Sequence, residues 1–369
     1  MTHLPWRVPV IRYPLRQSKK GGARVHFIGV DHHKQTSTMT VLDGAGREVR
    51  TARLANLRAD IEAFIREAAP GGFLAVVEAG RASYGIADLL RQLGGQVKMA
   101  NPLQVKAIAH ARIKTDKRDS KTLAQLLRAD LIPEVYQREG WNREAQRVLR
   151  LRAFWMSLRV QVRNKVRALL AQQGEEVRMA VEKQGERLFG PQGQEVVEDA
   201  GLGGRDGEVL RALLRGYQTF EAFQKESDQL VKGLYRELPA AQLIDTAPGF
   251  ATTLAVLVAV EIAEVRRFPR VEALHCYAGL IPSTYSSGER THHGRIVKGN
   301  IWLRWALVEA VWPAIRKDAG LSILYHRLAR HKGPNVAKVA TARRLLTILY
   351  RMLTENRPYV PYRSNPTAA

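Results

Sequence analysis

The chain has 369 residues, 58 of them Lys or Arg and 35 Asp or Glu, for a formal charge of +23 and an isoelectric point near 10.4. The excess is spread across all thirds of the sequence, which implies a polyanionic partner, nucleic acid first, with a merely basic soluble protein as the plainer alternative. A single cysteine, Cys276, excludes an intramolecular disulfide and any multi-cysteine zinc site, and the longest apolar run, Leu254 to Ile262, is too short to cross a bilayer and carries Glu261.

In chain order, residues 1–22 are basic, contain Pro5, Pro9 and Pro14, and read as a flexible arm and not a signal peptide. A first domain is expected over residues 23–137. RVHFIGVD reads as a strand, and STMTVLDGAGREVRTARL supplies two more, joined by a turn at Asp43-Gly44-Ala45-Gly46. Ile61, Phe64 and Ile65 mark the inner face of a helix, and Gly71-Gly72 opens the strand FLAVVEA. Ile86, Leu89, Leu90 and Leu93 mark a second helix, and QVKMA is a fifth strand ended by Asn101-Pro102. Three consecutive antiparallel strands followed by alternating helices and strands are the layout of an RNase H-like domain, by pattern analogy.

Four acids stand out in this domain. Asp31 and Glu78 end the two most apolar strands, and Asp116 and Asp119 are spaced to share one face at the start of a helix. Gathered in a partly dry site they repel by several kcal/mol unless cations lie between them, so a Mg²⁺ site is expected. Taken singly, each also reads as an ordinary strand end or helix cap. Lys114, Lys117, Arg118 and Lys121 surround the pair and suit DNA phosphates or a solvated helix face.

The middle, residues 138–240, is expected to be a long helical hairpin or coiled coil. From Asn142 to Gln173 a stripe of Val148, Leu151, Trp155, Leu158, Val162 and Leu169 has heptad-like spacing, with Arg152, Arg159, Arg163 and Arg167 off it. The partner helix is placed at Glu208 to Leu238, and the glycine-rich stretch between, with GPQGQ and GLGGRDGE, reads as a mobile loop with a short helix before it. Its seam serves either an intrachain pair or subunit association. Residues 241–369 are expected to be an all-α domain whose Pro248-Gly249 start resembles the helix-hairpin-helix backbone-phosphate binder. Inside it, Ser286, Ser287 and Gly288 sit in a polar turn followed by Arg290, His292, His293, Arg295, Lys298 and Arg304, the parts needed to hold a phosphodiester near a hydroxyl nucleophile.

The motifs GVDHHK, VVEAGRASYG, ANPLQVKAIA and KTDKRDSKTLA, followed by APGF and RRFPRVEALHCYAGLIPSTYSSGERTHHGRIVKGNIWLR, make the chain from Phe27 to about Pro358 resemble the DEDD-type insertion-sequence transposases, also described as bridge-RNA-guided recombinases. The arm before Ala23 matches nothing in that pattern, and GRASYG lacks the threonine-glycine common after the glutamate. The resemblance implies a RuvC-like domain in which Asp31, Glu78, Asp116 and Asp119 bind Mg²⁺. It implies that Ser287, or its neighbour Ser286, attacks a DNA phosphate from a partner subunit. Lys114, Lys117, Arg118, Lys121, Arg290, Arg295, Lys298 and Arg304 are read from their placement as the nucleic-acid contacts, and the lone cysteine fits a reducing cytoplasm. The resemblance further implies a homodimer or homotetramer acting on element ends and target DNA, with a structured guide RNA delegating sequence choice to base pairing. The competing expectations are a RuvC-like Holliday-junction resolvase or nuclease using metal-activated water, and a non-catalytic structural nucleic-acid-binding protein.

Overall fold

The structure is a computed structural model and describes residues 25–80, 82–108, 115–138, 140–282, 284–287, 290–294, 296 and 299–361. The arm expected over residues 1–22 lies outside the described residues, as do Lys114, Arg295 and Lys298. The chain divides into two compact units, one ending at Gln137 and one starting at Arg138.

The first unit is built on a five-stranded sheet. Strands β1 (His26–His32), β2 (Thr36–Leu42) and β3 (Glu48–Ala55) form an antiparallel meander. Helix α1 (Arg58–Ala68) then leads to β4 (Phe73–Glu78), and α2 (Ser83–Gln92) to β5 (Gln96–Ala100), both strands running parallel to β1. The order across the sheet is β3-β2-β1-β4-β5. Its central strands are apolar on both faces because both are covered. Ile28, Val30, Ala75 and Val77 face Ile61 and Phe64 of α1 and Ile86 and Leu90 of α2. On the opposite side, Val76 packs with Val105 of α3 (Pro102–Ile108) and with Leu123, Leu126 and Leu127 of α4 (Asp116–Arg128). The edge strand β3 is largely exposed and reads EVRTARLA, a charged edge that resists further pairing.

Gly29 sets the distance between sheet and helix. A Cβ built there would lie 1.9 Å from the carbonyl oxygen of Ser120, so α4 touches β1 backbone to backbone. A hydrogen bond between Ser120 Oγ and Thr40 Oγ1 (2.8 Å) ties the same turn of α4 to β2.

In the second unit, α5 (Gly140–Leu170) and α8 (Gly204–Glu237) pair as an antiparallel hairpin. The seam keeps part of the expected stripe and adds to it. Trp155 stacks on Phe220 (ring centroids 6.1 Å apart) and packs against Phe223 (5.0 Å) of α8, while Leu151 is 40% exposed, and the adjacent series, Ala145, Leu149, Arg152, Met156, Arg159, Arg163, Val166 and Leu170, is turned inward as well. The three arginines thus face α8, where Arg152 bonds to Asp228, Arg159 to Glu221 (2.7 Å), and both Arg159 (2.6 Å) and Arg163 (3.0 Å) to the Tyr217 hydroxyl. The seam is apolar at its ends and mixes ion pairs with the rings of Trp155, Phe220 and Phe223 in its middle. The long arginine stems fill the space between the helices, while the heads of Arg152 and Arg159 reach acids on α8 and that of Arg163 reaches the Tyr217 hydroxyl and Glu186.

The stretch between the two helices is not a simple loop. It forms α6 (Glu175–Glu182), a 3₁₀ turn at Gly185–Phe189 and α7 (Gly193–Asp199). Leu188, Phe189, Val196 and Val197 build a core with Val166, Leu170, Leu210 and Leu214. Enough apolar residues are interspersed among the glycines to order the segment.

The remaining helices are α9 (Pro239–Asp245), α10 (Thr252–Ile262), α11 (Val271–Ala278), α12 (Ile301–Lys317), α13 (Ala319–Lys332) and α14 (Pro334–Glu355). They share one core with the base of the hairpin, which contributes Ala145, Leu149 and Val231. Helix α10 is buried from Ala255 to Ile262, as an all-apolar helix must be. Gly249 adopts φ +94°, and a Cβ there would lie 2.3 Å from the Ala310 carbonyl oxygen, so close packing on α12 accounts for the Pro248-Gly249 turn. The expectation of an all-α domain is corrected by one element: β6 (Thr284–Ser287) and β7 (Arg290–His293) form an antiparallel hairpin between α11 and α12. Tyr285, Thr284 and Thr291 favour that extended pairing, and only residues 288 and 289 connect the strands.

Candidate functional site

The acids of the first unit converge because of strand register. Val30 of β1 is paired with Val77 of β4, so Asp31 and Glu78 follow side by side at the C-terminal ends of adjacent parallel strands. Asp31 lies two residues beyond Gly29 and Glu78 two beyond Val76, both on the sheet face covered by α4. Helix α4 begins at Asp116, capped by Thr115, whose hydroxyl accepts from the Arg118 amide (3.3 Å). Asp119 follows one turn on, with its amide bonded to the Thr115 carbonyl (2.9 Å).

A group that sequence reasoning missed completes the arrangement. His33 Nε2 stands 3.3 Å from Asp31 Oδ2 and 3.5 Å from Asp116 Oδ1. The ligand atoms of Asp31, His33 and Asp116 all lie within 4.8 Å of one another. Asn56 holds the turn that presents His33, donating to its carbonyl (2.8 Å) and accepting from Ser37 Oγ (2.6 Å). The sequence signal was the histidine pair directly after Asp31 in GVDHHK. Burial, with the neighbouring His33 charge, holds the His32 imidazole below its ordinary range, and a hydrogen bond to Ser37 (2.8 Å) fixes it away from this cluster.

Two carboxylates and an imidazole form a donor set that suits a divalent cation. Asp31 is 20% exposed and Asp116 44%, so the cluster opens to solvent. Glu78 and Asp119 stand next to it by register and helical repeat but outside the set of atoms within 4.8 Å. The flanking cations are partly engaged. Lys121 (2.8 Å) and Lys117 (3.7 Å) pair with Glu48, and the Lys121 hydrogen bond, with those from Thr51 and the lysine charges, holds the Glu48 carboxyl below its ordinary range.

In the second unit, the backbone register places Ser286 opposite Thr291 and Ser287 opposite Arg290, at the end of β6. The hairpin is set on a narrow base, since the Asn300 amide donates to the Tyr277 carbonyl (2.7 Å). Arg304, one turn into α12, donates to the Gly279 carbonyl (3.4 Å) at the end of α11.

The family described as "Transposase" under the DEDD label of IS110 matches residues 28–174, and the one described as "Transposase IS116/IS110/IS902 family" matches residues 241–326. The chain belongs to the IS110/IS116 family of transposases. The first match spans all four acids and His33, and the second spans the hairpin with Ser286 and Ser287. Among similar proteins, the "Probable family 20 transposase" of Pseudomonas aeruginosa is 26% identical over 344 residues, covering 90% of this chain and 98% of that one. The "Transposase for insertion sequence element IS1111A" of Coxiella burnetii is 23% identical over 341 residues, covering 91% of each. Family membership makes this transposase a DNA-binding protein of DNA transposition, and its DEDD domain fits divalent-metal use at the cluster of Asp31, His33 and Asp116. No helix of the transposase among the described residues is long and apolar enough to cross a membrane.

Proposed function

We propose that this transposase excises and inserts an insertion sequence by Mg²⁺-dependent, serine-mediated DNA cleavage and strand exchange, guided by a structured non-coding RNA. The observation that carries the reading is the convergence of Asp31, His33 and Asp116 at the ends of a sheet ordered β3-β2-β1-β4-β5. That strand order, with its first three strands antiparallel and the others parallel to β1, supports an RNase H-like assignment. Asp31, Glu78, Asp116 and Asp119, joined by His33, would hold Mg²⁺, which supplies positive charge to stabilise a phosphate under attack. Ser287 Oγ forms the bond to phosphorus as the bond to the departing sugar oxygen breaks, and that oxygen takes up the serine proton. One phosphoester replaces another, so rejoining needs no ATP. The two hydroxyls and the paired Arg290 on one short hairpin support this role. The formal charge of +23 supports nucleic-acid partners along much of the surface, with sequence choice left to base pairing. The half-exposed aromatics Phe154 (51%) and Phe223 (37%), flanking Trp155 on the helical hairpin, support assembly as a homodimer or homotetramer.

The deciding experiment incubates the transposase with Mg²⁺ and element-end DNA and looks for a denaturation-resistant protein–DNA adduct. Ser287→Ala is expected to abolish the adduct and leave DNA binding intact. An adduct that survives in Ser287→Ala and disappears in Ser286→Ala moves the nucleophile by one residue. Free ends without any adduct in the wild type would replace the serine mechanism by metal-assisted hydrolysis.

A further inference from the structure

Glu261 is the one carboxylate in the apolar helix α10 and is 1% exposed. A buried charge of this kind persists only when it is paired and its lone pairs are satisfied. Its Oε2 accepts from Asn300 Nδ2 (2.7 Å) and Arg138 (3.0 Å), and its Oε1 from Arg150 and from Gln146 (3.2 Å). The Tyr277 hydroxyl joins the same group, accepting from Arg138 (3.0 Å) and Asn300 (3.1 Å). Arg138 also donates to the Val260 carbonyl (2.7 Å), and the Arg150 guanidinium stacks 3.8 Å from the centroid of Trp302. Four separate elements, α5, α10, α11 and the start of α12, are thus tied to one carboxylate.

The cluster sits at the root of the serine hairpin. Asn300 is the residue where the hairpin re-enters the helical core, and every polar group of Asn300 on its side chain and amide is used. Its Oδ1 caps α12 by accepting from Trp302 (3.0 Å) and Leu303 (3.1 Å), its Nδ2 reaches Glu261 and Tyr277, and its amide bonds to the Tyr277 carbonyl. Gly279, at the other side of the root, ends α11 at φ +66°. Gly299 has φ +130°, and a Cβ on it would lie 2.4 Å from the Gly279 Cα, so two glycines press the outgoing and returning chains together.

We infer that Glu261 and Asn300, with Arg138, are positioning residues that clamp the root of the β6–β7 hairpin and thereby fix the direction in which Ser287 is presented to DNA. The inference rests on the serine mechanism proposed above for its catalytic consequence, though not for its structural one. Hydrogen bonds of a charged, buried cluster are short and directional, which makes the root stiff. A hairpin re-aimed by as little as an ångström at the nucleophile loses rate steeply, because attack at phosphorus demands alignment.

Asn300→Asp separates this role from helix capping, since Asp and Asn cap equally well, yet it sets a second carboxylate against Glu261. Its expected effect is a loss of about a hundredfold in the rate of adduct formation per folded molecule, with DNA affinity at fixed salt within about threefold of wild type. Amide hydrogen exchange in residues 284–287 and 290–293 is expected to quicken about tenfold. The double variant Glu261→Gln with Asn300→Asp restores one carboxylate and one amide to the cluster with donor and acceptor exchanged, and should recover both readouts. If Asn300→Asp does not fold, Tyr277→Phe, which removes only the hydroxyl linking Arg138 and Asn300, should still quicken exchange in the hairpin by about threefold. Unchanged exchange in the folded variants, or adduct formation that falls only with the folded fraction, overturns the clamp. A wild type that forms no adduct removes the serine mechanism, while the exchange measurement still decides for or against the clamp.

Discussion

His33 and Gly29 show how single residues shape the cluster around Asp31 and Asp116. His33 lies 3.3 Å and 3.5 Å from two carboxylates of different elements, so His33→Ala should weaken Mn²⁺ binding, followed by calorimetric titration, by about 10- to 100-fold. A smaller loss than threefold would leave His33 as a mere neighbour of the acids. Gly29→Ala forces a methyl onto the Ser120 carbonyl and should cost about 1–3 kcal/mol of stability while displacing Asp116 from Asp31, so that urea unfolding and cation affinity suffer together. His275 makes a pH prediction for the second unit. Burial, and next the charge of Arg343, hold its imidazole below the ordinary value of 6.5, and a hydrogen bond to Thr347 (3.0 Å) holds the ring in place. The unfolded chain therefore binds the proton more readily than the folded one. Stability contributed by the neutral ring is complete above pH 6.5 and is lost as the pH falls below that value toward the depressed folded pKa. Thermal melts of wild type and His275→Gln should diverge in slope between neutral and mildly acid pH, with the variant less sensitive to acid.

At the scale of elements, the α5–α8 hairpin carries the largest departure from the sequence pattern. Two series of positions, one residue apart, both have heptad spacing and both contribute to the seam: Trp155 of one packs on Phe220 and Phe223, and Arg152, Arg159 and Arg163 of the other bond across to α8. Arg159→Ala removes the shorter of the two arginine bonds to Tyr217 and leaves Glu221 with only the more exposed Lys225, and should cost about 2 kcal/mol in chemical denaturation. Leu151→Ala, at an exposed position of α5, should cost under about 0.5 kcal/mol. The reverse ranking would show that Leu151 and not Arg159 supports the pair of helices. An ionic seam also specifies register, because sliding either helix by one heptad separates each arginine from its acid.

For the whole molecule, charge is the governing quantity. A formal charge of +23 places the chain among proteins whose nucleic-acid affinity is dominated by counterion release, and contact with six or more phosphates would weaken binding by about 10³-fold or more between 50 and 200 mM salt. Filter-binding or anisotropy titrations across that range test this, and a flat response would show that the positive charge is spent on internal pairs such as those of Arg138, Arg150 and Arg159. The division at Gln137 and Arg138 separates the acid-bearing unit from the hairpin-bearing one, so each set of residues can be altered without dismantling the other's core.

Local periodicity already encodes much of the first unit and the long helices. The alternation of RVHFIGVD and FLAVVEA dictated buried strands with acids at their ends, the helical repeats dictated α1, α2 and the long pair, and the order of these elements in the first unit followed from consecutive strands with short connections. Tertiary structure decided the rest. That Arg152 and Arg159 join Trp155 in the seam depends on which acids the opposing helix offers, and an arginine stem packs like an apolar side chain, so no local pattern announces it. His33 became a neighbour of Asp116 only when Gly29 let α4 rest on β1. Glu261 declared itself as a charge in an apolar helix, but its partners Arg138, Arg150 and Asn300 are more than a hundred residues away or lie across the serine hairpin, where only folding brings donor to acceptor.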